Sequence, residues 1–301
     1  MTKRLILISG LLFLFFSASV FFACKSEDAD NKNETDTLLH IKNKTEKTFK
    51  FNDKLFSVPS PFVASNLIGE ISEEYNGDIL NPPENKINYA LTFKKALNLG
   101  VYTADLAYTN IYEQFSATTK YIKVVRSLTA ELQIMNSYTE EILENFENNL
   151  HDKDSLNKIF ADAYRETDYY LSKNNREYIS TLVVTGAWTE GLYLMTQLAK
   201  ENNNKKLIDR IGEQKYSLQN LLKLLEGEQK DDNNFRELRK KLNNLNLIFN
   251  KIEIKYKYFN QIVAPNERKT IILSETEIKI TPELLKEITE ETKQLRKFII
   301  K

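Results

Sequence analysis

Two histidines and one cysteine are all the imidazole and thiol groups in this sequence, so the options for metal binding or nucleophilic catalysis are few. Asn148 stands three residues before His151, where a di-iron helix would carry a glutamate, and His40 lies in a polar stretch. Ser155-Leu-Asn-Lys158 matches the Ser-x-x-Lys pattern, but a serine at a helix start is typical of an N-cap. A Walker-type phosphate loop does not occur. The sequence therefore predicts no enzyme, no metal site and no cofactor.

Two similar segments are better candidates for a binding site. Gly100-Val-Tyr-Thr-Ala-Asp-Leu106 and Gly186-Ala-Trp-Thr-Glu-Gly-Leu192 share glycine, an aromatic residue, threonine and leucine in register. Glycine inside a helix costs about 1 kcal/mol relative to alanine, so its presence at two equivalent positions indicates a packing reason. We interpret the segments as a duplicated helical unit, about 86–170 and 175–258, whose central helices cross at Gly100 and Gly186. The alternative is chance similarity between amphipathic helices.

If the two helices cross there, the side chains beside the glycines come together. A carboxylate in an apolar stretch must be hydrogen-bonded or reach water, and aromatic rings can stack on a ligand. The sequence therefore predicts a candidate ligand groove formed by Tyr102, Thr103, Asp105, Tyr108, Trp188, Thr189, Glu190 and Tyr193. The alternative is that the rings belong to the core and the acids tie neighbouring helices together. A hydrolase with a carboxylate-only site is a third, weaker alternative.

The N-terminus has the features of an export signal. Lys3 and Arg4 precede an apolar run over 5–16, and Ala23 stands directly before Cys24, the only cysteine. The segment resembles a lipobox, although Phe21 and Phe22 are bulkier than usual, and this resemblance implies that the Cys24 thiol carries a diacylglyceryl group. We therefore predict a lipoprotein signal peptide over 1–23 and a contact with membrane lipid through Cys24. The alternative is an uncleaved membrane anchor.

The residues after Cys24 suggest where the protein resides. Ser26-Glu-Asp28 resembles the short acidic signals that send some Bacteroidota lipoproteins to the cell surface. Residues 24–50 are rich in Lys, Asn, Asp, Glu and Thr, and such a composition is equally typical of a disordered tether. The expected location is the outer membrane, on its periplasmic face or at the cell surface.

Charge and composition limit the function classes further. Removal of Lys3 and Arg4 with the signal leaves 40 of the 42 basic residues beside 42 acidic ones, a net charge of −2. This balance argues against a nucleic-acid partner, which would require a basic face. Only 8 glycines and 6 prolines occur in 301 residues, which favours helices over a β-sandwich or barrel.

The apolar periodicity predicts an all-α, multi-helix bundle formed as a single domain by residues 51–301. A long charged helix is expected over Phe235–Tyr258. Thr270–Leu273 and Glu277–Ile280 are expected to pair as a small hairpin around residues 274–276. Thr281 and Pro282 then have the pattern of a cap and first residue of a last helix.

Several segments resemble an uncharacterised family of helical Bacteroidota lipoproteins. They are Pro59-Ser-Pro61, Tyr75–Asn81, Ala96–Leu106 and Gly186–Tyr193. The resemblance covers about residues 57–199 and implies a helical exported domain, but it brings no activity with it.

Two function hypotheses follow. The first is a lipid-anchored, non-catalytic module that binds an unknown small ligand or protein in the groove between the repeats. The second is a structural or assembly lipoprotein that docks a membrane complex through exposed helix faces such as Phe235–Tyr258. A pocket containing Asp105 and Glu190 supports the first hypothesis. Acids sealed in the core, together with an exposed apolar patch elsewhere, support the second.

Overall fold

The apolar stripes of the sequence fold into helices, which make up 80% of the described residues. In chain order these helices are α1 (Pro61–Ile71), α2 (Thr92–Ile111), α3 (Phe115–Glu131), α4 (Ser137–Asn148), α5 (Lys153–Lys173), α6 (Glu177–Asn202), α7 (Lys205–Gly227), α8 (Asn233–Phe249) and α9 (Pro282–Ile300). Two short 3₁₀ turns, Gly77–Ile79 and Pro83–Asn88, lie between α1 and α2. The all-α architecture predicted from periodicity is confirmed.

The computed structural model describes residues 48–51, 54–57, 61–71, 74–134, 137–202, 204–227, 232–258, 262–264, 269–271 and 274–301. The predicted signal peptide, the lipidation site Cys24, the acidic segment after it and His40 lie outside these residues. The predicted tether reaches into them only at its end. There, Thr48–Phe51 forms strand β1, so regular structure begins before residue 51.

Helices α2 and α6 form the centre of the bundle and have the most extensive helix–helix contact of the described residues. Most of the α6 side chains from Ile179 to Ala199 are buried, so this helix lacks the polar face of a surface helix. Helices α1, α3, α7 and α9 pack around the pair, while α4 and α5 contact α3 and α6 from one side. The two segments that carry the repeated glycine motif are therefore the central elements of the fold.

Short antiparallel pairs complete the structure. Strand β1 pairs with β2 (Lys54–Ser57), and β3 (Glu253–Tyr258) pairs with β6 (Ser274–Lys279). Between the latter two, β4 (Ile262–Ala264) pairs with β5 (Lys269–Ile271).

The helix predicted over Phe235–Tyr258 is wrong in its last third. Helix α8 ends at Phe249, and the next residues form β3, in which apolar and charged residues alternate with the period of a strand. Opposite charges face each other across this pair, Glu253 beside Lys279 and Lys255 beside Glu277, which stabilises its register.

The predicted C-terminal hairpin has the wrong strand partners, because Thr270 pairs with Val263 of β4 and Glu277 pairs with Lys255 of β3. The segment 274–276, expected to be its turn, lies inside β6 and pairs with β3. The reason is packing, because Ile278 lies against Gly212 of α7, where an added methyl carbon would stand 2.5 Å from the Ile278 Cγ2 atom. The start of the last helix is as predicted. Thr281 Oγ1 accepts a hydrogen bond from the Leu284 amide at 3.2 Å, and Pro282 is the first residue of α9.

Among the described residues, no helix combines the length and the apolar character needed to cross a bilayer.

Candidate functional site

The two repeated glycines lie where α2 and α6 cross. A methyl carbon on Gly100 would stand 2.0 Å from the Val183 carbonyl oxygen, and one on Gly186 would stand 1.9 Å from the Leu97 carbonyl oxygen. Each glycine thus faces the carbonyl of the residue three positions before the other glycine. Thr103 and Thr189 are also equivalent, since each hydroxyl donates to the carbonyl four residues earlier in its own helix, at 2.7 and 2.8 Å. The two helices therefore cross at Gly100 and Gly186 as expected, while the duplication of the helical unit stays a prediction.

Beside this crossing, three charged residues meet in the interior. Arg296 of α9 donates from Nε and Nη2 to the two carboxylate oxygens of Glu190, both at 2.7 Å. Its Nη2 also donates to the Ile79 carbonyl at 3.1 Å, and its guanidinium lies 4.0 Å from the centre of the Tyr193 ring. Asp105 and Glu190 are fully buried and Arg296 is 8% exposed, so solvent has almost no access to this group.

The two acids and one arginine balance only if one acid holds a proton. Burial raises the pKa of Asp105 well above its usual range, and the nearby charge of Glu190 raises it further, against the opposing effect of Arg296. Asp105 Oδ2 accepts a hydrogen bond from the Asn81 amide at 3.2 Å, whereas Oδ1 has no donor among the described residues. A side-chain hydrogen bond with Glu190 also raises the pKa of Asp105, and a hydrogen bond between two carboxyl groups requires a proton on one of them. We assign that proton to Asp105.

Arg296 carries the compensating charge. Burial alone lowers its pKa, but Glu190 more than offsets this, so the pKa lies above its ordinary value and the guanidinium is always charged. The hydroxyls of Tyr102 and Tyr121 have their pKa raised mainly by burial and act only as neutral donors. The cluster is therefore a closed electrostatic unit in which burial favours a proton on Asp105.

An irregular segment, residues 74–91, covers this cluster. Its backbone is held by tyrosine side chains of the bundle: Tyr102 donates to the Pro82 carbonyl at 2.9 Å and Tyr121 to the Asn81 carbonyl at 3.2 Å. Tyr108 accepts from the Asn76 amide at 3.2 Å, and its ring lies 5.7 Å from that of Tyr75. These hydrogen bonds hold the segment 74–91 in place over Asp105 and Glu190.

The last turn of α9 closes the same side of the bundle. Its terminal carbonyls, which have no partner within the helix, accept hydrogen bonds from the start of α2 and the residues just before it. Lys94 donates to the Phe298 carbonyl, Asn98 to the Ile299 carbonyl at 3.0 Å and Tyr89 to the Ile300 carbonyl at 3.3 Å. These contacts hold Arg296 over Glu190.

The predicted groove is therefore not a groove. The structure does bring Tyr102, Asp105, Tyr108 and Glu190 together, but in the interior, under Arg296 and the segment 74–91, with the half-buried Tyr193 ring against the Arg296 guanidinium. The three remaining predicted residues lie elsewhere. Trp188 donates from Nε1 to Gln214 of α7 at 3.0 Å, Thr189 is fully buried, and Thr103 lies on the opposite side of α2.

The sequence analysis did not identify Arg296 as a site residue, although the residue spacing along α9 indicates that it is buried. The buried positions Leu284, Ile288 and Thr292 follow one another at four-residue steps along α9, and Arg296 is the next in that series. A charged residue in line with an apolar stripe requires a buried partner of opposite charge.

A cavity lies on the opposite side of α2, where Thr103 points. It has a volume of about 110 Å³ and is partly open to solvent. Five helices line it: α2 with Leu99, Thr103 and Leu106; α3 with Val125 and Thr129; α4 with Thr139, Ile142, Leu143 and Phe146; α5 with Ile159, Ala163 and Thr167; and α6 with Ser180, Val183 and Ala187. None of these residues is charged. The wall is mainly methyl and methylene groups, since Thr103 and Thr129 direct their hydroxyls to their own helices at 2.7 and 2.8 Å.

The residues considered for catalysis occupy structural positions. Ser155 donates from Oγ to Asp152 at 2.6 Å and from its amide at 3.1 Å, so it belongs to the turn that begins α5. Asp152, rather than the expected Ser155, provides this cap. The centres of the His151 and Phe115 rings lie 4.3 Å apart. Within the described part of the chain, no three His, Cys, Asp or Glu residues are grouped to hold a metal ion.

Comparison with known protein families, with characterised proteins and with solved structures finds no match for this chain. The resemblance to Bacteroidota lipoproteins therefore stays a prediction.

Proposed function

We propose that this chain is an exported, lipid-anchored and non-catalytic helical protein that binds a small apolar ligand in the cavity lined by helices α2 to α6. The export signal and Cys24 support the anchor, which would hold the protein at the outer membrane, on its periplasmic face or at the cell surface. The binding site is the cavity beside Thr103, and the acids at Asp105 and Glu190 have a structural role.

The observation that carries this proposal is the cavity itself. Protein interiors are packed with few voids larger than a water molecule, so an apolar space of about 110 Å³ bounded by five helices is unusual. Apolar cavities that lack hydrogen-bonding partners hold water poorly and take up small apolar molecules instead. The cavity is also partly open, which provides a path of entry.

The assembly hypothesis rests on a different observation. Asp105 and Glu190 are sealed, as that hypothesis expects, and several large apolar side chains are exposed, among them Leu247 of α8 at 67% and Ile87 at 88%. Exposed apolar residues that occur singly are common on protein surfaces, so they carry less weight than the cavity. Crosslinking in intact cells would favour this alternative if it captured one membrane protein through Leu247.

The binding proposal is tested on the full-length protein purified from the cells that make it. We expect organic extraction and mass spectrometry to recover an apolar compound bound to the wild type. Ala163→Phe, which fills the cavity from α5, should lose it, while Ala130→Phe, on an exposed position of α3, should retain it. Equal recovery from both variants, or no apolar compound from the wild type, would reject the cavity as the site.

The anchor is tested separately by metabolic labelling with a fatty-acid probe. The wild type should be labelled and Cys24→Ala should not. Labelling of both proteins would exclude lipidation at Cys24.

A further inference from the structure

Two large apolar side chains are exposed close together at the end of the bundle where α2 begins. Ile87 is 88% exposed and Leu91 is 56% exposed, and they stand on either side of Tyr89, which is buried. The Tyr89 hydroxyl donates to the Ile300 carbonyl at 3.3 Å, so the backbone between the two exposed residues is held against the end of α9. Unlike Leu247 on α8, Ile87 therefore has a second exposed apolar residue near it in the chain.

Lysine side chains surround this pair. Lys94, three residues after Leu91 on α2, donates to the Phe298 carbonyl, and its ammonium group lies 4.4 Å from the centre of the Phe298 ring. Lys241 of α8 lies 5.5 Å from the centre of the same ring. Both ammonium groups are attracted by the ring, so two cations from different helices are held at this end of the bundle.

The charges at this end do not cancel. The lysines placed here by these contacts and by the chain end are Lys86, Lys94, Lys95, Lys241, Lys297 and Lys301. The carboxylates are those of Glu84, Glu131, Glu237 and the C-terminus. Glu131 is shared by Lys86 and Lys95, and Glu237 lies 3.5 Å from the Lys241 ammonium. Six lysines beside four carboxylates give a local charge of +2, whereas the mature chain is expected to carry −2.

Five of these residues form what we call the basic–apolar face: Ile87, Leu91, Lys94, Lys297 and Lys301. Exposed apolar side chains bordered by lysines are suited to an anionic bilayer, because the apolar groups enter the headgroup region while the lysines attract the lipid phosphates. A second copy of the chain fits this face less well. In a two-fold symmetric contact the same positive surface would face itself.

We propose that the basic–apolar face lies on the anionic phospholipid leaflet that holds the lipid anchor. This inference goes beyond the binding of an apolar ligand, and it rests on the proposed anchor at Cys24. The chain from Cys24 to Thr48, the first residue of β1, has 24 residues and can span at most about 85 Å. Once the anchor is inserted, contact between the face and the leaflet becomes intramolecular, so a small face of modest affinity is sufficient.

The test uses the full-length protein mixed with vesicles whose acyl chains are brominated, because bromine quenches tryptophan fluorescence at short range. Leu91→Trp reports on the face, and Tyr169→Trp on α5, where Tyr169 is 60% exposed, is the matched control. The buried Trp188 is common to both variants. With phosphatidylglycerol vesicles, emission from Leu91→Trp should shift to shorter wavelength and be quenched, and emission from Tyr169→Trp should not change.

The charge requirement is tested in the Leu91→Trp background. Quenching should be much weaker with phosphatidylcholine vesicles. Lys297→Glu combined with Lys301→Glu should lower quenching by phosphatidylglycerol to the phosphatidylcholine level. Lys206→Glu combined with Lys223→Glu, at exposed positions of α7, makes the same change of charge elsewhere and should leave quenching unchanged.

Flotation of the same samples separates the face from the anchor. Flotation with both lipids but no quenching of Leu91→Trp retains the anchor and overturns the face. Flotation and quenching with phosphatidylglycerol alone retain the face and overturn the anchor, and no flotation with either lipid overturns both. Equal quenching of Leu91→Trp and Tyr169→Trp, or a shift of Leu91→Trp emission without vesicles that grows with protein concentration, also overturns the face; the second result would assign it to contact between copies.

Discussion

Gly100 lies so close to the Val183 carbonyl that even one methyl carbon on the glycine would stand 2.0 Å from the oxygen. The reciprocal contact, Gly186 against Leu97, is equally short. Because both neighbours are backbone atoms within helices, they cannot move aside as a flexible side chain would. The close approach of α2 and α6 therefore depends on both glycines.

Gly186→Ala should destabilise the protein even though alanine is the better helix former. Overpacking in a tight core costs about 1–3 kcal/mol, and here the obstacle is backbone. The matched control is Gly227→Ala at the end of α7, where an added methyl carbon meets nothing within 4 Å. Urea denaturation should show a lower midpoint for Gly186→Ala only. Equal midpoints for the two variants would mean that the helices do not touch at Gly186.

Removal of the buried cation should be more damaging. Arg296→Met leaves Glu190 buried without its partner, a situation that typically costs about 3–5 kcal/mol. Lys297→Met, on the exposed neighbouring position of α9, is the control and should have little effect. The free energy of unfolding from denaturant titration measures both. Similar values for the two variants would show that Glu190 reaches water.

The proton on Asp105 predicts a pH effect. Because the folded-state pKa is raised, the stabilising contribution is fully present below the unfolded pKa of about 4 and is lost as pH rises toward the folded-state pKa. Asp105→Asn keeps a donor for Glu190 without a titrating group. Relative to the wild type, this variant should therefore become more stable as pH increases, by up to about 1.4 kcal/mol per pH unit. Parallel stability curves between pH 5 and 9 would contradict a proton on Asp105.

At acid pH, the pH dependence of the protein's stability comes from a different residue, Glu131. Glu131 receives hydrogen bonds from Lys86 and Lys95, which lower its pKa to about 2. Its stabilising contribution is present above the unfolded pKa of about 4.3 and is lost as pH falls toward about 2. Because the Glu131 side chain is 31% exposed, Glu131→Gln should cost less than about 1 kcal/mol at pH 7 and distinctly less at pH 2, where Glu131 is about half protonated. Thermal melts at both values, with exposed Glu141→Gln as control, would detect the difference, and an equal loss at both would contradict this role.

The parts of the fold that sequence reasoning found are those with local signals. Mid-helix glycines located the crossing of α2 and α6, and Thr281-Pro282 located the start of α9. The sequence around Asp105 and Glu190 did not indicate that the two acids are buried. The segment 74–91 and Arg296, which cover them, lie far from both motifs in the chain. The apolar cavity could not be predicted either, since its lining residues follow the same spacing as core residues. Strand β3 was missed because a helical period was extended past Phe249.

The central claim is that this protein binds at the apolar cavity and not at the buried acids, and a crystal structure of the protein under xenon, a small apolar probe, tests it most directly. We expect xenon density beside Leu99 and Val183, in the cavity lined by α2 to α6, with Asp105, Glu190 and Arg296 unchanged. Density at the acids after displacement of the segment 74–91, or a cavity occupied by ordered water, would contradict the account.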